Sequence, residues 1–420
     1  MKNKIITLIL LINISFSFAQ QITLNDCFKQ AEKNYPLLIQ QEIWQKSFSE
    51  TNALMNKNWL PQVDFNAQAT TQSDVTKVPI KLPNLTIPET DKEQFKATID
   101  VKQLIWDGGS INKERSVKKV ENSIEQQKIS IDILKLKERI SQVYFRILLI
   151  DENINILKLQ TDDITTRLKS VQAAIDNGVV IKSNADRLKV EILKLKQRLS
   201  ELQNDRETSI NTLNLIIGSK LEKDAILISP QIKPIAINLN KRPEMELFEL
   251  QKQQFLARSK TVTSKNMPRL SAFAQGGYGK PGLNMFDPEF QFFYIAGLRL
   301  NWTLWNWNSG KNEKNIYSLA TQIIDKQKDI FTLNTKIQIE QQQAEITKYE
   351  TLLKTDNDII ELQTSIKKSA TSQFDNGTLS ANDYLNELNA ENMAKLNLKL
   401  HEVQLIMAKV NLQLIIGETE

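Results

Sequence analysis

The chain alternates between long stretches without helix-breaking residues and short stretches in which apolar and polar residues alternate. Neither glycine nor proline occurs between Ser110 and Asn177, or between Lys311 and Asn376. Because these two residue types break helices most readily, each stretch is predicted to form one long helix. At 1.5 Å per residue, each helix would reach on the order of 100 Å.

Both long stretches end in the same turn sequence, Asp-Asn-Gly, at Gly178 and Gly377. A second breaker-free stretch follows each turn and ends in Leu-Ile-Ile-Gly, at Gly218 and Gly417. Apolar residues recur along the helices at spacings of three and four, which buries an antiparallel seam between paired helices. The pattern predicts two helical hairpins, 110–216 and 311–416.

A period of two marks four strands, each with one apolar and one polar face. They are predicted at about 62–75, 94–106, 269–280 and 291–305, and a proline-rich loop near 78–88 separates the first two. Runs of about 9–12 residues match a tilted membrane-crossing strand, and tryptophans cluster near the strand ends, as in an interfacial girdle. The alternative is a soluble sheet packed beside helices.

The same order of elements occurs twice. A helix and two strands precede each hairpin, Pro268 repeats Pro61 at a shift of 207 positions, and Trp307 repeats Trp106 before the long helix. Such internal similarity indicates duplication. The predicted domains are a first repeat at 20–218, a connector at 219–240 and a second repeat at 241–420.

Residues 1–19 have the pattern of a secretory signal peptide. Lys2 and Lys4 precede an apolar run, and Ser17-Phe18-Ala19 supplies small residues for cleavage. A retained N-terminal anchor is the alternative. Cys27 is the only cysteine, so no intrachain disulfide is possible, and we expect it to be a small buried residue of a first helix.

Charge and motif content exclude several function classes. The net charge of +5 over 420 residues is small, and lysine and glutamate are interspersed along helices, so no nucleic-acid partner is expected. No phosphate loop, nucleophile elbow or metal-binding pair occurs, and the only histidine, His401, lies in a helical series. We therefore expect no enzyme activity, no cofactor and no metal.

Four strands cannot close a barrel, and an open sheet edge in lipid leaves backbone groups unpaired. The strands are therefore expected to come from several identical chains. Three copies would supply twelve strands, enough to surround a water-filled pore.

Several motifs, in this order, carry a family resemblance: Leu24-Asn25-Asp26-Cys27-Phe28, Leu60-Pro61, Trp106-Asp107-Gly108-Gly109 with its twin, the two Asp-Asn-Gly turns and the paired Leu-Ile-Ile-Gly endings. Over the whole mature chain the sequence resembles the TolC-like outer-membrane efflux proteins, the outer-membrane factors. The resemblance implies a mainly helical fold in which long hairpins form an α-barrel and four strands per chain contribute to a twelve-stranded trimeric β-barrel.

The resemblance also implies a location and partners. We expect a homotrimer in the lipid of the Gram-negative outer membrane, with its helices extending into the periplasm. A periplasmic adaptor protein and an inner-membrane pump of the RND, ABC or MFS type would complete a tripartite efflux or type I secretion system. The cargo would be drugs, toxins, metal ions or proteins. The alternative function is a periplasmic coiled-coil scaffold without channel activity.

Candidate site residues follow from the same resemblance. The periplasmic tips that touch the adaptor would be Asn177, Gly178, Val179, Asn376, Gly377 and Thr378. The gate candidates would be Asp186, Asp383, Asn386 and Glu387. Three copies of Asp383 would form an acidic ring that favours cations. Asn386 departs from the second acidic residue of some members, and capping of helix starts is the alternative role for both aspartates.

Overall fold

The computed structural model describes residues 21–76, 91–178, 181–232 and 238–418. The predicted signal peptide and proline-rich loop lie outside these residues. The chain divides into two compact units. Unit 1 comprises Met1–Leu38, Ser130–Pro243 and Phe331–Glu420, and unit 2 comprises Ile39–Ile129 and Glu244–Ile330.

Helices account for most of the described residues. The two longest, α3 and α6, have 67 residues each, and α4 and α7 have 36 each; their only glycine is Gly310, in the first turn of α6, and they contain no proline. A short 3-10 turn spans Leu239–Lys241. The helices are α1 (Leu24–Asn34), α2 (Leu37–Lys57), α3 (Ser110–Asp176), α4 (Lys182–Ile217), α5 (Pro243–Lys265), α6 (Ser309–Asp375) and α7 (Ala381–Ile416).

Unit 2 contains a four-stranded antiparallel sheet in the order β2-β3-β5-β6. Its strands are β2 (Gln62–Thr71), β3 (Glu93–Trp106), β5 (Arg269–Lys280) and β6 (Gln291–Asn301), while β1 (Gln21–Ile22) and β4 (Ile226–Leu227) form a separate parallel pair. The strand β2 ends before residue 75 because Thr71 pairs with Glu93, the first residue of β3. The strand β6 ends before residue 305, and the indole N–H of Trp302 donates instead to the Asn266 carbonyl at 3.1 Å.

Register places most of the apolar residues of the four strands on one face. Phe65 pairs with Ile99, Ile99 with Gly276, and Gly276 with Tyr294. Phe65, Ile99 and Tyr294 are all exposed, Tyr294 at 81%. Within this unit the apolar face of the sheet is therefore uncovered.

The junction before each long helix uses two successive residues with positive φ. Before α3 these are Gly108 and Gly109 (φ 70° and 78°), and before α6 they are Trp307 and Asn308 (φ 54° and 57°). Gly108 and Trp307 are therefore equivalent, and the sequence pairing of Trp106 with Trp307 was wrong by two residues. A tryptophan with positive φ costs roughly 1–3 kcal/mol of backbone strain.

The carboxylate of Asp107 fixes the start of α3. It accepts from the backbone N–H groups of Gly109 at 2.8 Å and Ile111 at 2.6 Å, and its side chain is buried. The Ile111 N–H belongs to the first turn of α3, whose N–H groups have no partners within the helix, and the Gly109 N–H directly precedes that turn. The motif Trp-Asp-Gly-Gly is thus a strand-to-helix junction closed by its aspartate.

The largest core of unit 1 surrounds Tyr144 and Phe145 of α3, both fully buried. The Tyr144 hydroxyl lies 2.9 Å from the Ile22 carbonyl and 2.7 Å from the Ile228 carbonyl, which fixes the β1–β4 pair to the helix. Cys27 of α1 lies in the same core, fully buried, and burial raises the pKa of its thiol to about 12. This cysteine is a packing residue.

Candidate functional site

The two hairpin turns of unit 1 have closely similar ends. Gly178 and Gly377 have φ of 67° and 73°, in the left-handed region that favours glycine. The Asn177 amide donates to the Ala173 carbonyl at 2.9 Å, and the Asn376 amide donates to the Ser372 carbonyl at 2.9 Å. Thr378 continues the second turn, and its backbone N–H and hydroxyl both bond to the Gln373 carbonyl at 2.9 Å. Val179, the remaining predicted tip residue, lies outside the described residues.

The two candidate gate aspartates have different surroundings. Asp383 belongs to an N-terminal cap of α7, in which Ser380 Oγ accepts from the Asp383 N–H at 3.2 Å and donates to its carboxylate at 2.7 Å. The N-cap of α4, Ile181, makes no side-chain cap bond, and Asp186 instead lies 3.7 Å from the Lys189 amine. Both aspartates are exposed. Only Asp383 takes part in a helix cap.

The other two gate candidates follow in the next turn of α7. Asn386 is exposed and Glu387 is half-buried. The starts of α4 and α7 are joined directly, because Arg187 Nη1 donates to Asn382 Oδ1 at 3.3 Å. The structure therefore brings the helix starts that carry Asp186 and Asp383 together.

An apolar cluster from both hairpins lies beneath the turns. Tyr384 and Leu388 of α7 are fully buried against Ala185 and Leu188 of α4 and Ile164 of α3. Burial also raises the pKa of the Tyr384 hydroxyl. We call this group, with Val171, Ile192, Leu195 and Leu385, the tip cluster. It holds the last turns of the two hairpins against each other.

A stack of three side chains extends from the tip cluster to the surface. The rings of Phe374 and Tyr384 stack at 4.9 Å, and the Arg167 guanidinium lies 5.6 Å from the Tyr384 ring centre. Arg167 also forms an ion pair with Asp375, the last residue of α6. Burial alone would lower the pKa of Arg167, but Tyr384 and Asp375 raise it. The guanidinium is charged at every physiological pH.

Farther from the turns, polar contacts continue to join the hairpins. Lys367 of α6 contacts Asp163 of α3 at 2.7 Å, and the buried carboxylate of Glu391 lies 3.6 Å from Lys367 and 2.8 Å from Lys395. Burial would lower the pKa of Lys367, but the bond to Asp163 and the two negative charges raise it. Removing either lysine would leave the buried Glu391 carboxylate with one partner, which is energetically costly.

The sequence did not indicate the residues that join the hairpins. Arg167 and Lys367 lie inside long breaker-free stretches, where neither has a local motif. Tyr384, an aromatic residue directly after a gate candidate, is a local signal for the apolar cluster that joins the hairpins. The cap was also readable, because Ser380 and Asp383 have the spacing of a capping box.

The described part of the chain was compared with the requirements of a metal site and of a membrane-spanning helix. No group of three or more His, Cys, Asp or Glu side chains there could hold a metal ion. No helix among those residues is long and apolar enough to cross a bilayer. His401, the only histidine, contacts the buried carboxylate of Asp356 at 2.6 Å and so joins α7 to α6.

Comparison with known proteins finds an efflux family model that matches part of the chain and solved outer-membrane channels that share its fold. Residues 27–219 match the family model described as outer membrane efflux protein. The search of curated proteins found no match. The matched residues contain most of the predicted first repeat, with part of α1, two strands of the sheet and the first hairpin.

Solved structures share the fold over most of the chain. The outer membrane protein VceC of Vibrio cholerae is 12% identical and has a TM-score of 0.68, covering 94% of this chain and 96% of its own. The CmeC outer membrane channel of Campylobacter jejuni is 15% identical at a TM-score of 0.67, covering 94% and 87%. The MtrE outer membrane channel of Neisseria gonorrhoeae is 13% identical at 0.68, covering 94% and 88%.

These comparisons confirm the resemblance and the fold class predicted from the sequence. The chain has the mainly helical fold of these solved outer-membrane channels, with long hairpins and a four-stranded sheet. The match of residues 27–219 to the outer membrane efflux protein model agrees with the predicted outer-membrane location and transport role. The family and the solved structures are of channels rather than enzymes.

Proposed function

We propose, from the premise that residues 27–219 belong to the outer membrane efflux protein family, that three copies of this chain form the exit duct of a tripartite system. The duct would receive small molecules or proteins from an inner-membrane pump through a periplasmic adaptor. The two sequence repeats, each with one pair of strands and one hairpin, would contribute equivalent sectors of its wall.

The main support for this proposal is the sheet of unit 2, whose two outer edges are unpaired among the described residues. The strands β2 and β6 are the outer strands of the sheet, and among the residues that the structure describes each pairs with one neighbour only. An unpaired backbone N–H or C=O in lipid costs several kcal/mol, so such edges do not occur in the hydrocarbon region. The edge of β6 in one copy would therefore pair with β2 of the next. Three copies then close twelve strands into a barrel wide enough for water.

The two faces of the sheet fit opposite surroundings. The face that carries Phe65, Ile99 and Tyr294 is apolar and exposed, as lipid contact requires. The opposite face carries Asp64, Asp100 and other polar side chains, as a water-filled lumen requires. Exposed tryptophans cluster just beyond the strand ends, where the membrane interface would lie: Trp106, Trp302, Trp305 and Trp307.

Exposed apolar side chains on the helices of unit 2 also support packing between neighbouring copies. On α6, Ile316, Leu319, Ile323 and Ile330 recur at spacings of three, four and seven, and each is 58–62% exposed. Such a stripe is the seam by which one helix packs on another. On α2, Ile39, Ile43 and Leu54 are exposed in the same way. Adjacent copies would cover both sets of side chains.

The hairpin turns would form the periplasmic end of the duct. Asn177, Gly178, Asn376, Gly377 and Thr378 would contact the adaptor, together with Val179. Asp186, Asp383, Asn386 and Glu387 would line the closed entrance. The tip cluster and the Arg167 stack support this role, because they hold the helix starts together at one end of unit 1.

Conductance of the purified full-length protein in planar bilayers tests the proposal. We expect ion currents from crosslinkable trimers extracted from the outer membrane. A soluble periplasmic monomer, or membrane-inserted protein without current, would contradict it and favour the scaffold.

Two matched variants then test the gate. Asp383→Ala removes both the charge and a cap contact, whereas Ser380→Ala weakens the cap and keeps the carboxylate. We expect a raised basal conductance or an altered ion selectivity with Asp383→Ala only. Equal changes in both variants would assign Asp383 to the helix cap, and no change in either would remove it from the gate.

A further inference from the structure

The polar face of the sheet carries more positive than negative charge. Alternation and register place four cationic side chains on this face, along with two carboxylates. The cations are Lys96, Lys102, Arg269 and Arg299, and the carboxylates are Asp64 and Asp100. All four strands lie within the described residues, so each chain contributes two net positive charges to this face.

One of the two carboxylates is fully engaged by neutral donors. Asp100 accepts from Asn66 at 2.7 Å, from Thr98 at 3.0 Å and from Gln275 at 2.5 Å. These bonds link β2, β3 and β5, and they leave Asp100 little capacity to bind a passing cation. Only Asp64, which is exposed and directly opposite Asp100, offers a free carboxylate.

Two of the four cations lie over aromatic rings rather than beside carboxylates. Lys96 lies 5.1 Å from the Phe293 ring centre, and Arg299 lies 5.0 Å from the Phe273 ring centre. A ring face attracts a cation but leaves its charge intact. All four cationic side chains are exposed, and none forms an ion pair with a residue that the structure describes.

Glycines on the neighbouring strands make room for the two rings. Phe293 pairs with Gly277, where an added Cβ would overlap the ring, and Phe273 pairs with Gly297, where a Cβ would approach the ring to 3.2 Å. The rings therefore lie across the sheet, each beneath a cation. Two aromatic side chains on the polar face thus serve to position Lys96 and Arg299.

We propose that the membrane-spanning part of the duct favours anions, and that Lys96, Lys102, Arg269 and Arg299 determine this preference. The inference rests on the proposed trimeric barrel, in which three copies place twelve cations and six carboxylates around one lumen. A lumen lined by an excess of one charge raises the local concentration of ions of the opposite charge. The favoured solutes would be those with carboxylate, phosphate or sulfonate groups.

The reversal potential of the trimer in a potassium chloride gradient tests this preference. Because screening shortens the range of charge to about 10 Å at 0.1 M salt, the gradient is best kept at or below this concentration. The tip aspartates are first neutralised by Asp186→Asn and Asp383→Asn, so that the barrel dominates selectivity. We expect this channel to pass chloride more readily than potassium.

Variants on the two faces of the sheet then assign the effect. Lys96→Gln with Arg299→Gln is expected to shift the reversal potential towards potassium selectivity, and Asp64→Asn to shift it towards chloride. The matched control is Lys280→Gln, which changes a lysine on the opposite face that is paired with Asp91 at 2.5 Å. Each single variant is measured as well, in case the double variant does not assemble.

The outcomes separate this inference from the proposed function. Currents that are potassium-selective in the tip-neutral channel, or that respond equally to Lys280→Gln and to Lys96→Gln with Arg299→Gln, would overturn the anion preference and leave the duct intact. Absence of any current would contradict the duct itself and, with it, the basis of the inference.

Discussion

Replacing Tyr384 by alanine should loosen the end of unit 1 where the hairpins turn. Its ring is fully buried in the tip cluster, stacks on Phe374 at 4.9 Å and lies beneath Arg167. Truncation of a large buried aromatic side chain costs about 3–5 kcal/mol, through lost burial and the cavity left behind. The aromatic stack contributes about 0.5–1.5 kcal/mol beyond area burial.

A loss of about 3 kcal/mol changes an opening equilibrium by a factor of more than a hundred, since 1.36 kcal/mol corresponds to a factor of ten. Hydrogen exchange of the amides around Ile164, Leu188 and Leu388 should therefore accelerate by about this factor in Tyr384→Ala. Amides around Tyr144, in the other core of unit 1, serve as the internal reference. Basal conductance in planar bilayers should rise in parallel.

Tyr384→Phe is the matched control because it keeps the ring, the stack and the burial. We expect its exchange rates and conductance to remain close to those of the unchanged protein. If Tyr384→Ala leaves exchange near the turns unchanged, the tip cluster does not hold the hairpins together. If exchange accelerates while conductance does not, the cluster is structural and no gate lies there.

Three further predictions concern the junction, the copy interface and pH. Asp107→Ala removes two bonds to the first turn of α3 and should lower stability by about 1–2 kcal/mol, measured as a lower dissociation temperature of the trimer. Ile323→Glu should abolish crosslinked trimers, because a neighbouring copy would bury an unpaired charge; Ile323→Val should not, and trimers that tolerate the charge would exclude this stripe from the interface. The pKa of Lys367 is raised above its ordinary value of 10.5, so its stabilising effect is complete below that pH and is lost as pH rises through the higher folded value. Conductance should therefore rise at strongly alkaline pH, and Lys367→Met should remove that rise; a rise that survives the substitution would assign it elsewhere.

The long helices and the strands were predictable because their signals are local. Glycine and proline are absent from α3, and from α6 after Gly310 in its first turn, and the turns that follow keep an Asp-Asn-Gly sequence whose glycine takes the left-handed conformation. The period of two in each strand likewise depends only on neighbouring residues. Local rules of this kind suffice for elements that span tens of residues.

The contacts between hairpins were not predictable because they join residues far apart in the chain. Arg167 and Asp375 are 208 positions apart, and Lys367 and Asp163 are 204 apart. The pairing of Trp106 with Trp307 failed for a different reason. Positive φ, which defines the junction, is normally a property of glycine, and here Trp307 adopts it in place of the first glycine.

The mass of the full-length protein, solubilised from the outer membrane in detergent, tests the central claim most directly. In the described part of one copy, β2 and β6 each have an open edge, and pairing between copies would satisfy these edges in lipid. We predict a particle with the mass of three chains. A particle with the mass of one chain would contradict the account.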